Sequence, residues 1–382
     1  MKIRGINFGN WLVLEKWMSP ELFDGIDAED EVWMNRVMDQ FRKEVLLKKH
    51  RDTYITEKDV EHIARLGLNL IRLPVPFFVF GDRSPYVGCI EYVDKLFDWA
   101  ESYGVQILVD LHTVAGSQNG YDNGGITGVC KWCHNPEEVE FALTVLERLA
   151  ERYKNRVGLY GIEVLNEPIS WLVYTTAPST GKARDKEEAK GSSYVPLKFL
   201  KKFYQDAYQR LRAILPEEKV IVFHDGFRLG AWKDFFVRAG MKNVMLDTHI
   251  YISAMEGFFP FHILPVYKAY VWFNKKLIQR TAKYTPVVVG EWNIVNKRAL
   301  NKAAAETNPE KQKQICREEH WKIENLERDA WESSAGWIYW SYKLHEHPDE
   351  AEAWNDIKKT LDGWDFVRTV LHGWWREAYV EK

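Results

Sequence analysis

Short apolar runs and longer amphipathic stretches alternate along the whole chain. The apolar runs, rich in Val, Ile, Leu and aromatic residues, predict strands over 3–8, 68–73, 106–110, 158–165, 220–224, 244–248, 286–290 and 336–340. Between most of them, amphipathic stretches predict helices over 92–103, 137–153, 196–214, 264–283 and 309–330. Another helix opens at Thr56-Glu57-Lys58-Asp59 in capping-box style, runs through Val60, Ile63, Ala64 and Leu66, and stops at Gly67. Eight strands with interleaved helices, no short repeat and no low-complexity linker predict one (β/α)8 TIM barrel, a single domain over 1–382. A doubly wound open sheet is the competing architecture, but no Gly-rich phosphate turn follows the first strand.

Several connections after strands are long: 10–53, with a helical piece expected around 30–49, then 112–136, 169–195 and 292–309. On a barrel such insertions build the face that carries the active site. The polar, Gly/Ser-bearing stretch 177–193 reads as a mobile flap or an ordered excursion rather than a domain boundary.

Composition narrows the picture. The chain carries 17 Trp, and Trp and Tyr offer flat apolar faces with a polar edge that suit stacking on sugar rings, although a large core also consumes aromatics. A net charge of −3 gives no basic footprint, so neither nucleic acid nor membrane is expected as a partner. Four cysteines make no disulfide framework for this length. The chain opens on Met1-Lys2-Ile3-Arg4 directly into a strand with no leader pattern, so cytoplasmic residence is the expectation.

Two glutamates stand just past buried apolar runs, Glu167 after Ile162-Glu163-Val164-Leu165-Asn166 and Glu291 after Val287-Val288-Val289-Gly290. A barrel gathers the C-terminal ends of distant strands at one rim, and two facing carboxylates there can break a glycosidic bond. Taken singly, each also reads as a helix cap or a salt-bridged rim group. Pro168 biases Glu167 away from helix and holds it at a strand exit, and Asn166 offers an N–H to a sugar hydroxyl. Arg72 closes the second strand, where it can keep a nucleophile ionised or serve as a structural salt bridge. His112, His249, Tyr251 and Trp340 follow further strands, with hydrogen-bonded structural roles or core packing as their plainer readings.

Three other constellations fall short. Cys130-Lys131-Trp132-Cys133-His134 is half a zinc site without a second ligand pair. Neither a Gly-x-Ser-x-Gly elbow nor a Walker-type phosphate loop occurs.

Together these segments resemble glycoside hydrolase family 5, retaining (β/α)8 glycosidases, and most nearly its exo-β-1,3-glucanase members. The resemblance is carried by Arg4-Gly5-Ile6-Asn7-Phe8-Gly9-Asn10-Trp11, Ile71-Arg72-Leu73-Pro74, Asp110-Leu111-His112, Gly120-Tyr121-Asp122-Asn123, Leu165-Asn166-Glu167-Pro168, His249-Ile250-Tyr251, Gly290-Glu291-Trp292 and Trp337-Ile338-Tyr339-Trp340. It implies Glu167 as general acid/base, Glu291 as nucleophile, and Arg72, His112, Asn166, His249, Tyr251 and Trp340 as their supporting set. It further implies that Glu15 and Asp122 bind hydroxyls of a terminal glucose, which favours exo action. The implied reaction is retaining hydrolysis of a β-linked glucoside or oligosaccharide with no cofactor or metal. The expected charge pattern is an ionised Glu291 beside Arg72 and Tyr251, with Glu167 kept neutral. The same machinery would serve an endo-β-glucanase, β-mannosidase, glycolipid glucosidase or transglycosylase, and a silent barrel would only bind sugar. Two departures stand out: Asn10 where relatives usually carry glycine, and Ala254 where they carry a sugar-clamping aromatic.

Overall fold

The computed structural model describes residues 2–344 and 361–375; the remainder of the domain predicted over 1–382 lies outside the described residues. Eight parallel strands close into a barrel in chain order: β1 (Ile3–Asn7), β2 (Leu70–Val75), β3 (Gln106–Leu111), β4 (Leu159–Glu163), β5 (Val220–His224), β6 (Val244–His249), β7 (Val287–Glu291) and β8 (Gly336–Tyr339). The ring shuts where Ile3 of β1 pairs with Gly336 of β8.

Strand periodicity explains how one barrel holds both an apolar plug and a polar site. Ile3, Leu70, Leu108, Val222, Met245, Val288 and Ile338 cluster as a buried apolar layer. Side chains alternate along a strand, so the residues two positions on share the same face. Those residues are Gly5, Arg72, Asp110, His224, Asp247, Gly290 and Trp340, four of them polar or charged. The layer nearer the C-terminal ends is therefore polar, which is where this fold performs chemistry. Gly290 is required there: a Cβ would lie 2.0 Å from Oδ2 of Asp247, whose Oδ1 accepts the Gly290 N–H at 2.7 Å.

The helices follow the amphipathic pattern closely, as in Pro136–Tyr153, Leu197–Ile214, Leu264–Thr281 and Pro309–Trp331. Three boundaries differ for local reasons. The predicted piece at 30–49 is two helices, Glu31–Val37 and Gln40–Tyr54, because Asp39 accepts the Arg42 N–H and starts a new cap. The second strand begins at Leu70 rather than 68, since the Leu68 N–H closes the preceding helix on Ile63 O, with Gly67 at φ 73°. β4 ends at Glu163, so Glu167 lies in the following loop. Residues 177–193 form an ordered excursion, fastened by a two-pronged Arg36–Glu188 pair and by Ser192 and Ser193 on the Cys130 backbone.

Candidate active site

Arg72 is the hub of the polar layer. Its buried guanidinium donates to Glu163 (2.7 and 3.2 Å), Asn7 (3.0 Å), Asn166 (2.9 Å) and Oε1 of Glu291 (2.9 Å), and pairs with Asp110 at 3.0 Å. Burial pushes the Glu163 carboxyl well up despite Arg72, because Asp110 and Asp247 crowd the same cation.

Glu291 closes β7 and receives a second hydrogen bond, from the Tyr251 hydroxyl to Oε2 at 2.8 Å. Glu167 holds φ at 42°, a left-handed conformation uncommon for a side-chain-bearing residue. The sequence pointed to an extended residue before Pro168; surrounding contacts fix the other conformation. Among them, Gln118 Nε2 donates to the carbonyls of His112 and Asn166.

His249 bridges the two glutamates. The β6–β7 ladder slips by one register between Thr248 and His249, so His249 pairs with Glu291 while Thr248 pairs with Val289. Its Nδ1 then lies 2.8 Å from Oε1 of Glu167 and 3.4 Å from Oε2 of Glu291, and its Nε2 lies 3.3 Å from Asp247. Burial opposes the imidazolium, but Glu291, Asp247 and Glu167 outweigh it and hold the His249 pKa well above its ordinary value. Burial likewise opposes charge on Glu167, but the His249 and Asn123 hydrogen bonds override it and hold that carboxyl low. Glu291 is pushed up by burial, against the pull of His249 and Arg72. Relative to their ordinary values, Glu167 is thus held down and Glu291 pushed up, opposite in direction to the expectation, because the His249 hydrogen bond goes to Glu167 while burial dominates at Glu291.

His112 pairs through Nδ1 with Asp110 (2.6 Å), and its ring stacks on Trp340 at 5.7 Å between centroids. Its Nε2 faces Asn166 Nδ2 at 3.4 Å, so the Asn166 amide spans His112 and Arg72. A cavity of about 490 Å³ opens above, lined by Glu15, Trp17, Asn123, Glu167, Tyr251, Glu291, Trp340, Leu361 and Trp364. Five of the ten residues singled out from sequence, Glu15, Glu167, Tyr251, Glu291 and Trp340, therefore share one wall. Arg72, His112, Asn166 and His249 support it from below. Asp122 is not on the wall, yet its charge helps burial push the Glu15 carboxyl well up.

Glu15 accepts the Trp17 indole N–H on Oε2 at 2.8 Å, while its own N–H donates to Asn10 Oδ1 at 3.0 Å. Asn10 has φ 61°, a conformation Asn tolerates better than most residues, and its side chain supplies the tether for Glu15. Ala254 is exposed on the helix Ile252–Phe258 and does not line the cavity.

Sequence reasoning missed Asn123, whose Nδ2 donates to Oε2 of Glu167 at 2.8 Å, although it adjoins Asp122. It also missed Trp17 and Trp364, which meet edge to face at 5.3 Å; no strand-end pattern marks either one. Among the described residues, two donor clusters have metal-ligand spacing, Glu167 with His224 and His249, and Glu163 with Asp247 and His249. His224 suits a metal poorly, since its Nδ1 accepts the Gly226 N–H and its Nε2 therefore carries the proton. Cys133 and His134 instead face Tyr194 O (3.9 Å) and Ser193 Oγ (2.5 Å).

Comparison with known proteins bears on the family and the fold. Residues 38–346 match the family described as cellulase (glycosyl hydrolase family 5). A probable glucan 1,3-beta-glucosidase A of Emericella nidulans is 31% identical, covering 97% of this chain and 89% of its own. A glucan 1,3-beta-glucosidase of Blumeria graminis is 31% identical, covering 91% and 84%. In fold, the rutinosidase of Aspergillus niger superposes with a TM-score of 0.74 over 98% of each chain, at 19% identity.

Proposed function

The chain belongs to glycosyl hydrolase family 5 and is a glycoside hydrolase, and from that premise we propose that it removes terminal glucose from β-glucosides, β-1,3-linked ones foremost, with retention of configuration. The observation that carries this reading is that Glu167 and Glu291 both reach one nitrogen of His249, at 2.8 and 3.4 Å. A single nitrogen touching one oxygen of each carboxyl supports the close, roughly 5–5.5 Å spacing of a retaining pair over the roughly 6.5–9.5 Å that leaves room for water in an inverting one.

In this mechanism Glu291, oriented by Arg72 and Tyr251, attacks the anomeric carbon as the bond to the leaving oxygen breaks. Glu167 delivers its proton to that oxygen. Moving the His249 proton along the 2.8 Å hydrogen bond makes Glu167 the required neutral acid. Water then attacks the glycosyl-enzyme ester, releasing Glu291 and giving its proton to the Glu167 carboxylate, from which it returns to His249 along the same hydrogen bond. Glu15 supports exo action: it is buried beside the cavity, and its Oε1 accepts no hydrogen bond among the described residues, leaving it open to sugar hydroxyls. With Ala254 exposed and off the cavity, the lining rings of Trp17 and Trp364 support a stacking role for them beside the group that follows the first sugar.

Proton NMR of the first product from an aryl β-glucoside tests the reading. Glucose appearing first as the β-anomer is expected, and the α-anomer first overturns retention. β-1,3-Glucan oligosaccharides should yield glucose alone at early times, whereas a ladder of internal fragments would overturn exo action.

A further inference from the structure

No Asp or Glu occurs between Glu256 and Glu291, while the same stretch carries Lys268, Lys275, Lys276, Arg280 and Lys283. The whole-chain charge of −3 conceals this local excess. Within it lie Phe259, Phe261 and Ile263, all more than half exposed, on the segment leading from the active-site loop after β6 into the helix Leu264–Thr281.

That helix buries Tyr267, Val271 and Ile278 against the barrel and turns a different face outward. Lys268, Trp272, Lys276 and Arg280, each four residues from the next, form one exposed line down that face. Trp272 and Phe273 are 60% and 61% exposed. Single exposed apolar residues are ordinary, but Phe259, Phe261, Ile263, Trp272 and Phe273 all lie exposed within one short stretch of chain, which marks a binding surface. Of the five cations, Lys275 alone is paired, with Asp329 at 2.7 Å; Lys268, Lys276, Arg280 and Lys283 form no ion pair among the described residues.

We propose that this face docks the enzyme on an anionic lipid bilayer. Trp and Phe enter the interface between headgroups and acyl chains, and the flanking lysines and arginine meet lipid phosphates. A neutral glucan would give the cations no counterpart, and Phe261, Ile263 and Phe273 offer no polar edge to a sugar. A second copy of the chain would set like charges against like. Docking in this way brings the cavity rim towards the membrane, because Phe259 and Phe261 sit at the mouth end of the helix and Trp272 only about 12 Å down it.

Flotation of the full chain with phosphatidylcholine vesicles, with and without phosphatidylglycerol as about a third of the lipid, tests the proposal. Binding to the anionic vesicles alone, released by salt, is expected. W272S/F273S and, separately, K268E/K276E/R280E should each weaken it at least about tenfold. Neither variant touches the cavity, so turnover of a soluble aryl β-glucoside should be unchanged, which also reports that each is folded. The proposal is overturned if the wild type does not float, if it binds neutral vesicles equally, or if both variants bind as the wild type does. It is also overturned if W272S/F273S instead abolishes binding to insoluble β-glucan or converts a dimer to a monomer.

Discussion

Nδ1 of His249 lies 2.8 Å from Oε1 of Glu167, so the proposed acid and a buried imidazole share one hydrogen bond. The charged imidazole holds the Glu167 pKa low, and Asn123 adds to that through Oε2.

Removing either partner should raise the Glu167 pKa, so that its acid form persists to higher pH. The basic limb of kcat/KM should therefore move up in Asn123→Ala, and further in His249→Ala with a loss in kcat of about 10²-fold or more. A pH–rate profile measures both; an unmoved limb in both variants means that Glu167 is not the titrating acid.

The two glutamates should separate by what azide does. Glu291→Ala and Glu167→Ala should each lower turnover at least about 10³-fold. Azide should then give the α-glucosyl azide with Glu291→Ala, by direct displacement. With Glu167→Ala it should give the β-glucosyl azide, by opening the covalent intermediate. The same anomer from both variants would remove the assignment of roles.

Arg72→Met leaves Asp110, Glu163 and Glu291 facing one another without their cation. The loss should be about 3–5 kcal/mol, read from urea unfolding. Arg72→Lys keeps the charge but loses the planar fork that reaches Glu163 and Glu291 at once, so it should recover more stability than activity.

Glu15→Ala and Asp122→Ala should raise KM for aryl β-glucosides and weaken release of terminal glucose, measured by initial rates and product chromatography. Unchanged kinetics in both would withdraw the reason for exo rather than endo action.

Away from the site, Glu319 gathers Arg298, Lys302 and Lys322 at 2.7–2.9 Å. Burial opposes its charge, but the three cations override it and bring its pKa from 4.5 to about 2. A folded-state pKa below the unfolded one stabilises above the unfolded value and is lost as pH falls through the folded one. The stability advantage of wild type over Glu319→Gln should therefore be full at neutral pH and disappear between about pH 4.5 and 2 in urea melts.

The barrel was legible because its signals are local. Val287-Val288-Val289 and Leu70-Ile71 are β-rich runs buried on both faces, and the helices after them have clear amphipathic stripes and caps. Boundaries slipped where a cap outranked a pattern, as at Asp39 and Leu68. Asn123 and Trp364 escaped notice because neither stands at a strand end, and Trp364 reaches the cavity from a segment beyond β8.

The sequence by itself determined the eightfold alternation of strand and helix, the family likeness and the strand-end residues around the two glutamates. Those follow from periodicity and residue type, which are properties of neighbours in the chain. Only the tertiary structure decided how protons and charges are shared among them. The slip at Thr248/His249 puts an imidazole between Glu167 and Glu291, and burial makes every nearby charge count. It likewise decided that the stretch without acids from 257 to 290 has an outward face, because only packing against the barrel fixes which side of a helix is left for another surface.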